Sequence, residues 1–200
     1  MHTGPELVLA SASPRRRELL ARVGLRFRVA AADADEPPHA GELPPALALR
    51  LAGAKADQVK ARHPTAWVLA ADTVVALDDE VLGKADDEAD AARMLSRLSG
   101  RTHRVITGWV LLGPDGGATH MAVTEVDFRA LTDDEIAGYV ETGEWRNKAG
   151  AYAVQGIAAS FVSAIRGSYT NVVGLPLAEV VSELVTRGAP TPRLADGEPA

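Results

Sequence analysis

The segment Trp67–Leu77 constrains the fold more than any other part of the sequence. It reads WVLAADTVVAL, and apart from Asp72 and Thr73 every residue in it is apolar. A continuous apolar run of this kind, dense in Val and Leu, is typical of a central strand that is buried on both faces. The segment therefore predicts a sheet with other elements packed on both of its sides.

The rest of the chain alternates between predicted helices and predicted strands. Helix starts are indicated by Ser13 before Pro14, by Asp86, and by the capping pair Thr132 and Glu135. Helices are predicted over residues 13–23, 44–62, 86–100, 132–143 and 176–187. Strands are predicted over residues 6–11, 27–32, 81–82, 103–112 and 118–130, with one more after the glycine-rich stretch that follows residue 143. Because hairpins interrupt the alternation, we expect an α/β fold with a mixed sheet and flanking helices.

Composition excludes several classes of protein. The 200 residues contain no cysteine, so disulfides, thiolate metal sites and cysteine nucleophiles are ruled out. The chain has no apolar run of the ~20 residues that a membrane span needs and no signal-peptide pattern, so we expect a cytoplasmic protein. A net charge of -6 argues against nucleic acid as a partner. We predict one catalytic domain over residues 1–188 and a flexible tail over residues 189–200.

Arg15, Arg16 and Arg17 occupy an unusual place at the start of the first predicted helix. The helix dipole already presents positive charge there, so cations are disfavoured unless an anion binds. The free N–H groups of the first turn, with the hydroxyls of Ser11 and Ser13, would complete an anion pocket. Three arginines could instead simply solvate a surface helix. Their position directly after a strand favours a phosphate site.

Asp72 is the strongest single indication of function. An unpaired carboxylate in a buried strand costs several kcal/mol, so Asp72 must be paired, bound to a metal or protonated. Lys55 lies on the otherwise apolar stripe of the second helix, where it either extends to water or reaches into a cleft. A purely structural pair between Asp72 and a lysine is the alternative to a catalytic role.

The loop after residue 32 carries three carboxylates, Asp33, Asp35 and Glu36. Carboxylate oxygens suit Mg²⁺ or Mn²⁺, although an ordinary acidic surface loop would look the same. The five histidines show no metal-ligand spacing, and His103 is interpreted as a strand or surface residue. Lys84, after Gly83 at the end of a hairpin, would by default be a solvated lysine. The P-loop, Rossmann and nucleophile-elbow motifs are absent.

Seven short segments carry most of these residues. They are LASASPRRRELL from Leu9, Asp35-Glu36, RLAGAKA from Arg50, ADTVV from Ala71, LSGRTHRVITG from Leu98, KAGAYAVQG from Lys148 and GSYTNVVGLP from Gly167. Taken in this order they resemble the motifs of the Maf family of nucleotide pyrophosphatases, and the resemblance covers residues 7–177. Two positions depart from its pattern: Ala85 replaces a proline after Lys84, and Asn147 replaces an aspartate before Lys148.

The resemblance implies two α/β lobes around a central cleft, as in the inosine-triphosphate pyrophosphatases. It also implies a divalent cation (Mg²⁺, Mn²⁺ or Co²⁺) and hydrolysis of a nucleoside triphosphate to the monophosphate and pyrophosphate. Asp72 falls on the family's proton-acceptor position. Arg15, Thr73 and Gln155 fall on positions that separate subfamilies, and here they are similar to the branch that prefers dTTP and UTP. A homodimer is expected from the resemblance alone.

The mechanism expected on this basis is metal-assisted in-line hydrolysis. The predicted roles are phosphate binding by Ser11, Ser13, Arg15 and Arg16, charge neutralisation by Lys55 and Lys84, metal binding by Glu36 and Asp72, proton acceptance by Asp72, and base recognition by Thr73 and Gln155. Two alternatives remain. One is a nucleotide-sensing regulatory protein that affects cell division, and the other is an enzyme of the same chemistry that acts on modified purine nucleotides.

Overall fold

The computed structural model describes residues 6–32 and 37–192. The strands are β1 (Leu7–Leu9), β2 (Arg28–Val29), β3 (Trp67–Leu77), β4 (Glu80–Leu82), β5 (Thr102–Gly113), β6 (Gly116–Phe128) and β7 (Val162–Arg166). The helices are α1 (Pro14–Arg22), α2 (Pro44–Arg62), α3 (Glu88–Leu98), α4 (Asp133–Glu141), α5 (Tyr169–Val173) and α6 (Leu177–Thr186), with a 3-10 helix over Ile157–Phe161.

All seven strands belong to one mixed sheet with the order β2-β1-β3-β5-β6-β7, and β4 pairs with β3 outside this path. β1 is parallel to β2 and to β3, while the other pairs are antiparallel. The α/β class with a mixed sheet and flanking helices is confirmed. The predicted second strand is much shorter than expected, and α5 was missed because five residues are too few to show helical periodicity.

β3 is buried on both faces, as the apolar run predicts. The side chains of Val68, Ala70 and Val74 pack on the side of the sheet that α2 covers. Leu69, Ala71 and Val75 alternate with them and face the larger core, to which α1, α3, α4 and α6 contribute. The period-2 alternation of a strand therefore sends adjacent residues of β3 to opposite layers.

In the described parts of the chain, no helix combines the length and the apolar composition of a membrane-spanning segment. The domain division at residue 188 stays a prediction. Residues 189–192 follow α6 without helix or strand, and the rest of the predicted tail lies outside the described residues.

Candidate active site

One edge of β3 is only partly paired. β5 pairs along Val68–Ala76 on the other edge, so β1 (at residues 67–69) and β4 (at residues 75–77) must share this one. Between them, no strand of the described chain pairs with residues 70–74. We call this interval the β3 gap. Asp72 and Thr73 lie in the middle of it, and the segments that follow β1 and β4 flank it.

On the α2 side of the gap, Lys55 and Asp72 form an ion pair. Lys55 Nζ lies 2.7 Å from Asp72 Oδ1, and each side chain is 13% exposed. The sequence left open whether Lys55 extends to water or reaches into a cleft, and the structure shows that it reaches inward to Asp72. The contact occupies one carboxylate oxygen of Asp72, so a charged, partly desolvated carboxylate is held at the gap and keeps a second oxygen for another partner.

Gly108 allows α2 to come this close to the sheet. Gly108 is the register partner of Asp72 on β5. A Cβ atom at this position would lie 2.5 Å from the carbonyl oxygen of Ala48 in α2. The close approach of helix and strand therefore requires glycine, and this approach brings Lys55 within reach of Asp72.

On the opposite face, Arg16 connects four segments of the chain. Its Nη2 donates to Thr73 Oγ1 at 2.9 Å, its Nη1 to Ser11 Oγ at 3.1 Å and its Nε to the Gly174 carbonyl at 2.8 Å. Thr73 Oγ1 also lies 2.8 Å from Thr107 Oγ1. The Thr73 hydroxyl is thus engaged inside the protein, and it contacts Arg16 where the sequence interpretation expected it to contact a nucleobase.

The two serines also have internal partners. Ser13 is the N-cap of α1 and accepts a hydrogen bond from the backbone N–H of Arg16 at 3.5 Å. Ser11 Oγ accepts from the backbone N–H of Ser13 at 3.2 Å. Both hydroxyls therefore shape the turn between β1 and α1, which is the turn that carries Arg15.

Arg15 differs from its neighbour. It is half-buried, and in the part of the chain that the structure describes its guanidinium makes no hydrogen bond or ion pair. Burial lowers the pKa of Arg15 from its usual value. A desolvated cation without an internal anion, in the first turn of a helix, provides the environment in which a phosphate group binds well.

Two lysines lie on the β4 side of the gap. Lys84 is exposed and forms an antiparallel bridge with Ala149, and the N–H of Gly150 bonds to the carbonyls of Leu82 and Gly83 at 3.1 and 2.9 Å. Lys148 is half-buried, and its pKa is lowered by burial and by the nearby charge of Arg15, against an opposing effect of Glu144. Lys148 was not singled out from the sequence, although it lies in the KAGAY segment.

The two departures from the family pattern fit the structure. Asn147 has a φ of 59°, in the left-handed region that asparagine and aspartate both tolerate. Ala85 packs against the larger core. Neither residue disturbs the pairing of Lys84 with Ala149.

Gln155 is exposed, and its side-chain amide makes no hydrogen bond in the described parts of the chain. It precedes Gly156 and the 3-10 helix. His103 is 1% exposed, and its Nε2 lies 2.8 Å from Tyr152 Oη. Burial lowers the pKa of His103 to about 4, so it is a neutral core residue at pH 7. This agrees with its interpretation as a strand residue.

A metal site can be assessed only in part. Within residues 6–32 and 37–192, no three His, Asp or Glu side chains form a group that could hold a metal ion. Asp72 offers one oxygen beyond its contact with Lys55, which suits a hard cation. Glu36, the other predicted ligand, lies outside the described residues together with Asp33 and Asp35.

Comparison with known proteins identifies relatives over almost the whole chain. The family described as "Maf-like protein" matches residues 6–187. A dTTP/UTP pyrophosphatase from Myxococcus xanthus is 56% identical over 186 residues, which cover 93% of this chain and 94% of the relative. A dTTP/UTP pyrophosphatase from Caulobacter vibrioides is 54% identical over 186 residues, 92% of this chain and 96% of the relative.

Among solved structures, the Ham1 protein of Staphylococcus aureus has a similar fold. It aligns with a TM-score of 0.51 and 15% sequence identity, over 89% of this chain and 99% of its own. At this identity the likeness concerns the fold alone.

Proposed function

We propose, from the premise that this chain belongs to the Maf family, that it hydrolyses dTTP and UTP to the nucleoside monophosphate and pyrophosphate. The role would be removal of unwanted nucleotides from the cellular pool. The observation that carries the proposal is the Lys55–Asp72 pair at 2.7 Å in the β3 gap, on a sheet whose neighbouring turn presents Arg15. The relatives' names support the same activity and describe enzymes, not regulators.

The triphosphate would lie along the segments that flank the gap. Arg15 and the first turn of α1 present positive charge from one side, and Lys84 and Lys148 do so from the other. Arg16 would contribute mainly by holding α1, Thr73 and Gly174 in place. This division of roles differs from the expectation that both arginines bind phosphate in the same way.

Asp72 would act as the general base. A water molecule attacks the α-phosphorus in line, its proton passes to Asp72, and the bond from the α-phosphorus to the bridging oxygen breaks to release pyrophosphate. Lys55 Nζ holds Asp72 Oδ1 and so orients the carboxylate before the reaction. It also offers positive charge where phosphoryl oxygens become more negative in the transition state.

A divalent cation, Mg²⁺, Mn²⁺ or Co²⁺, is part of the proposal. Asp72 and Glu36 would hold it, and when bound it would neutralise phosphate charge and polarise the phosphoryl group. Gln155, whose amide is exposed and without an internal partner in the described chain, would recognise the base. We also propose a cytoplasmic location, no nucleic-acid partner and a homodimer, the last testable by light scattering.

The test is pyrophosphate release over a panel of triphosphates with each of the three metals. We expect faster release from dTTP and UTP than from ATP, GTP or 7-methylguanosine triphosphate, because Gln155 and the position of Thr73 match the pyrimidine branch. Equal rates for all bases would contradict the proposed substrate class. Tight nucleotide binding without turnover would favour the nucleotide-sensing alternative.

A further inference from the structure

Glu144 binds the backbone of the loop that carries Gln155. It follows α4, and its half-buried carboxylate accepts hydrogen bonds from two consecutive N–H groups of the 3-10 helix. Oε2 accepts from Ile157 at 3.0 Å and Oε1 from Ala158 at 3.4 Å. The first N–H groups of a helix have no partner within the helix, so one carboxylate satisfies both. The loop is thereby tied to a residue that lies more than ten positions earlier in the chain.

Gly156 shows how close this contact is. A Cβ atom at Gly156 would lie 2.1 to 2.5 Å from the carboxylate atoms of Glu144. Residue 156 must therefore be glycine for the carboxylate to reach the helix start. Gly156 N–H bonds to the Ala153 carbonyl at 3.1 Å, and its own carbonyl accepts from Ala159 at 3.0 Å. The backbone on both sides of Gly156 is consequently fixed.

Gln155 directly precedes this anchored glycine. Its side chain is exposed and makes no hydrogen bond within the described chain. The position of its Cα atom, from which the side chain extends, is thus fixed by the backbone, and Glu144 holds that backbone in place. Glu144 is itself held from α4, because its N–H bonds to Thr142 Oγ1 at 3.2 Å and Thr142 Oγ1 donates to the Tyr139 carbonyl at 2.6 Å.

We propose that Glu144 is the positioning residue for Gln155 and thereby helps to determine which nucleobase the enzyme prefers. The inference rests on the proposed function, in which Gln155 recognises the base. Glu144 touches neither base nor phosphate in this scheme. Its effect is to fix the backbone at Gln155, which improves discrimination because only the side chain has to be ordered when the base binds.

The experiment compares kcat/KM for UTP and ATP in wild type, Glu144→Ala, Gln155→Ala and the double variant. Removal of the Gln155 amide deletes one or two hydrogen bonds to the base and should lower the UTP/ATP ratio about 3- to 10-fold. Glu144→Ala should lower the ratio to a similar extent, mainly through a higher KM for UTP. In the Gln155→Ala background, Glu144→Ala should change the ratio less than about twofold, since the residue that it positions is gone.

Two further variants keep the test decisive. Glu141→Ala, at an exposed residue of α4, is the matched control and should leave the ratio unchanged. Glu144→Gln is nearly isosteric and retains one acceptor oxygen, so it should fold and show an intermediate ratio even where Glu144→Ala is unstable.

The outcomes separate the two proposals. A wild type that does not discriminate, or a Gln155→Ala variant that keeps the wild-type UTP/ATP ratio, overturns base recognition by Gln155 and the role of Glu144 with it. If Gln155→Ala lowers the UTP/ATP ratio as expected while both Glu144 variants keep the wild-type ratio, only the role of Glu144 is overturned. Equal slowing of UTP and ATP by Glu144→Ala in both backgrounds would mean a general structural effect, which also contradicts it.

Discussion

Arg15 and Arg16 are sequence neighbours whose guanidinium groups meet different surroundings. Arg16 donates to Thr73, Ser11 and the carbonyl of Gly174, whereas Arg15 has no such partner in the described chain. A side chain that satisfies buried acceptors stabilises the fold, and a desolvated cation without an internal acceptor does not. The two residues should therefore respond to substitution in opposite ways.

Arg15→Ala should lower kcat/KM at least ~10-fold, because a charged hydrogen bond to phosphate contributes about 1.5–3 kcal/mol. Its melting temperature should stay the same or rise slightly, since a cation near a helix N-terminus opposes the dipole. Steady-state kinetics and thermal unfolding check both parts. Arg17→Ala, at an exposed residue of the same helix, is the control and should have little effect on kinetics.

Arg16→Ala should behave differently and lower the free energy of unfolding by about 1–3 kcal/mol, since it leaves acceptors of three segments without their donor. Urea unfolding measures this. A variant with wild-type stability would contradict the structural role assigned to Arg16.

Asp72→Asn should reduce turnover by roughly 10²–10⁴ while the protein stays folded. The amide nearly matches the carboxylate in size but cannot accept a proton from water. The substitution also replaces the anionic charge beside Lys55 Nζ with a neutral amide, so stability should change modestly. Pyrophosphate release and calorimetric nucleotide binding on one preparation provide the measurement. Turnover within a few-fold of wild type would show that Asp72 is not the base.

At the scale of elements, the contact between α2 and β5 decides whether Lys55 can reach Asp72. Gly108→Ala would place a Cβ atom 2.5 Å from the Ala48 carbonyl, so α2 must move away from the sheet. We expect a loss of unfolding free energy of about 1–3 kcal/mol together with reduced activity.

Gly138→Ala in α4 is the matched control for Gly108→Ala. A Cβ atom there meets no atom within 4 Å, and alanine is the better helix former by about 0.5–1 kcal/mol. This variant should be slightly more stable and fully active. A Gly108→Ala variant that behaves like Gly138→Ala would show that the helix and the sheet are not in close contact.

The sequence predicts an element well when the residues that determine it lie close together in the chain. The Trp67–Leu77 strand and the capping box of Thr132 and Glu135 were predicted because their signals lie within a few residues. The roles of Arg16 and Glu144 could not be predicted, because only the fold brings their partners Gly174 and Ile157 close to them. Asp72 and Thr73 point to opposite faces of the sheet, and this follows from the sequence alone because adjacent residues of a strand alternate between faces.

At the scale of the whole molecule, acid should destabilise the fold. The pKa of His103 is about 4 in the folded protein and about 6.5 in the unfolded chain. Between these two values the unfolded chain binds a proton at His103 and the folded protein does not, so stability falls with the pH. Between pH 6.5 and 4 the free energy of unfolding therefore falls by about 3 kcal/mol. Ion pairs lower the pKa of Glu42, Asp127 and Glu135 to about 2, and their contribution disappears as the pH falls further toward that value.

Urea unfolding at pH 7.0, 5.5 and 4.5 tests this dependence. The decline should be smaller in His103→Gln, which cannot take up the proton, and unchanged in His39→Gln, at an exposed residue. Identical slopes in wild type and His103→Gln would assign the acid sensitivity to other groups.

The β3 gap also bears on how the protein avoids unwanted assembly. An unpaired strand edge invites another chain to add itself as a new strand. Here the open interval spans only residues 70–74, and β1 and β4 block its two ends. An intruding strand would find room for very few backbone hydrogen bonds before it collided with them. The β3 gap is therefore open to a ligand but too short for the addition of a strand from another chain.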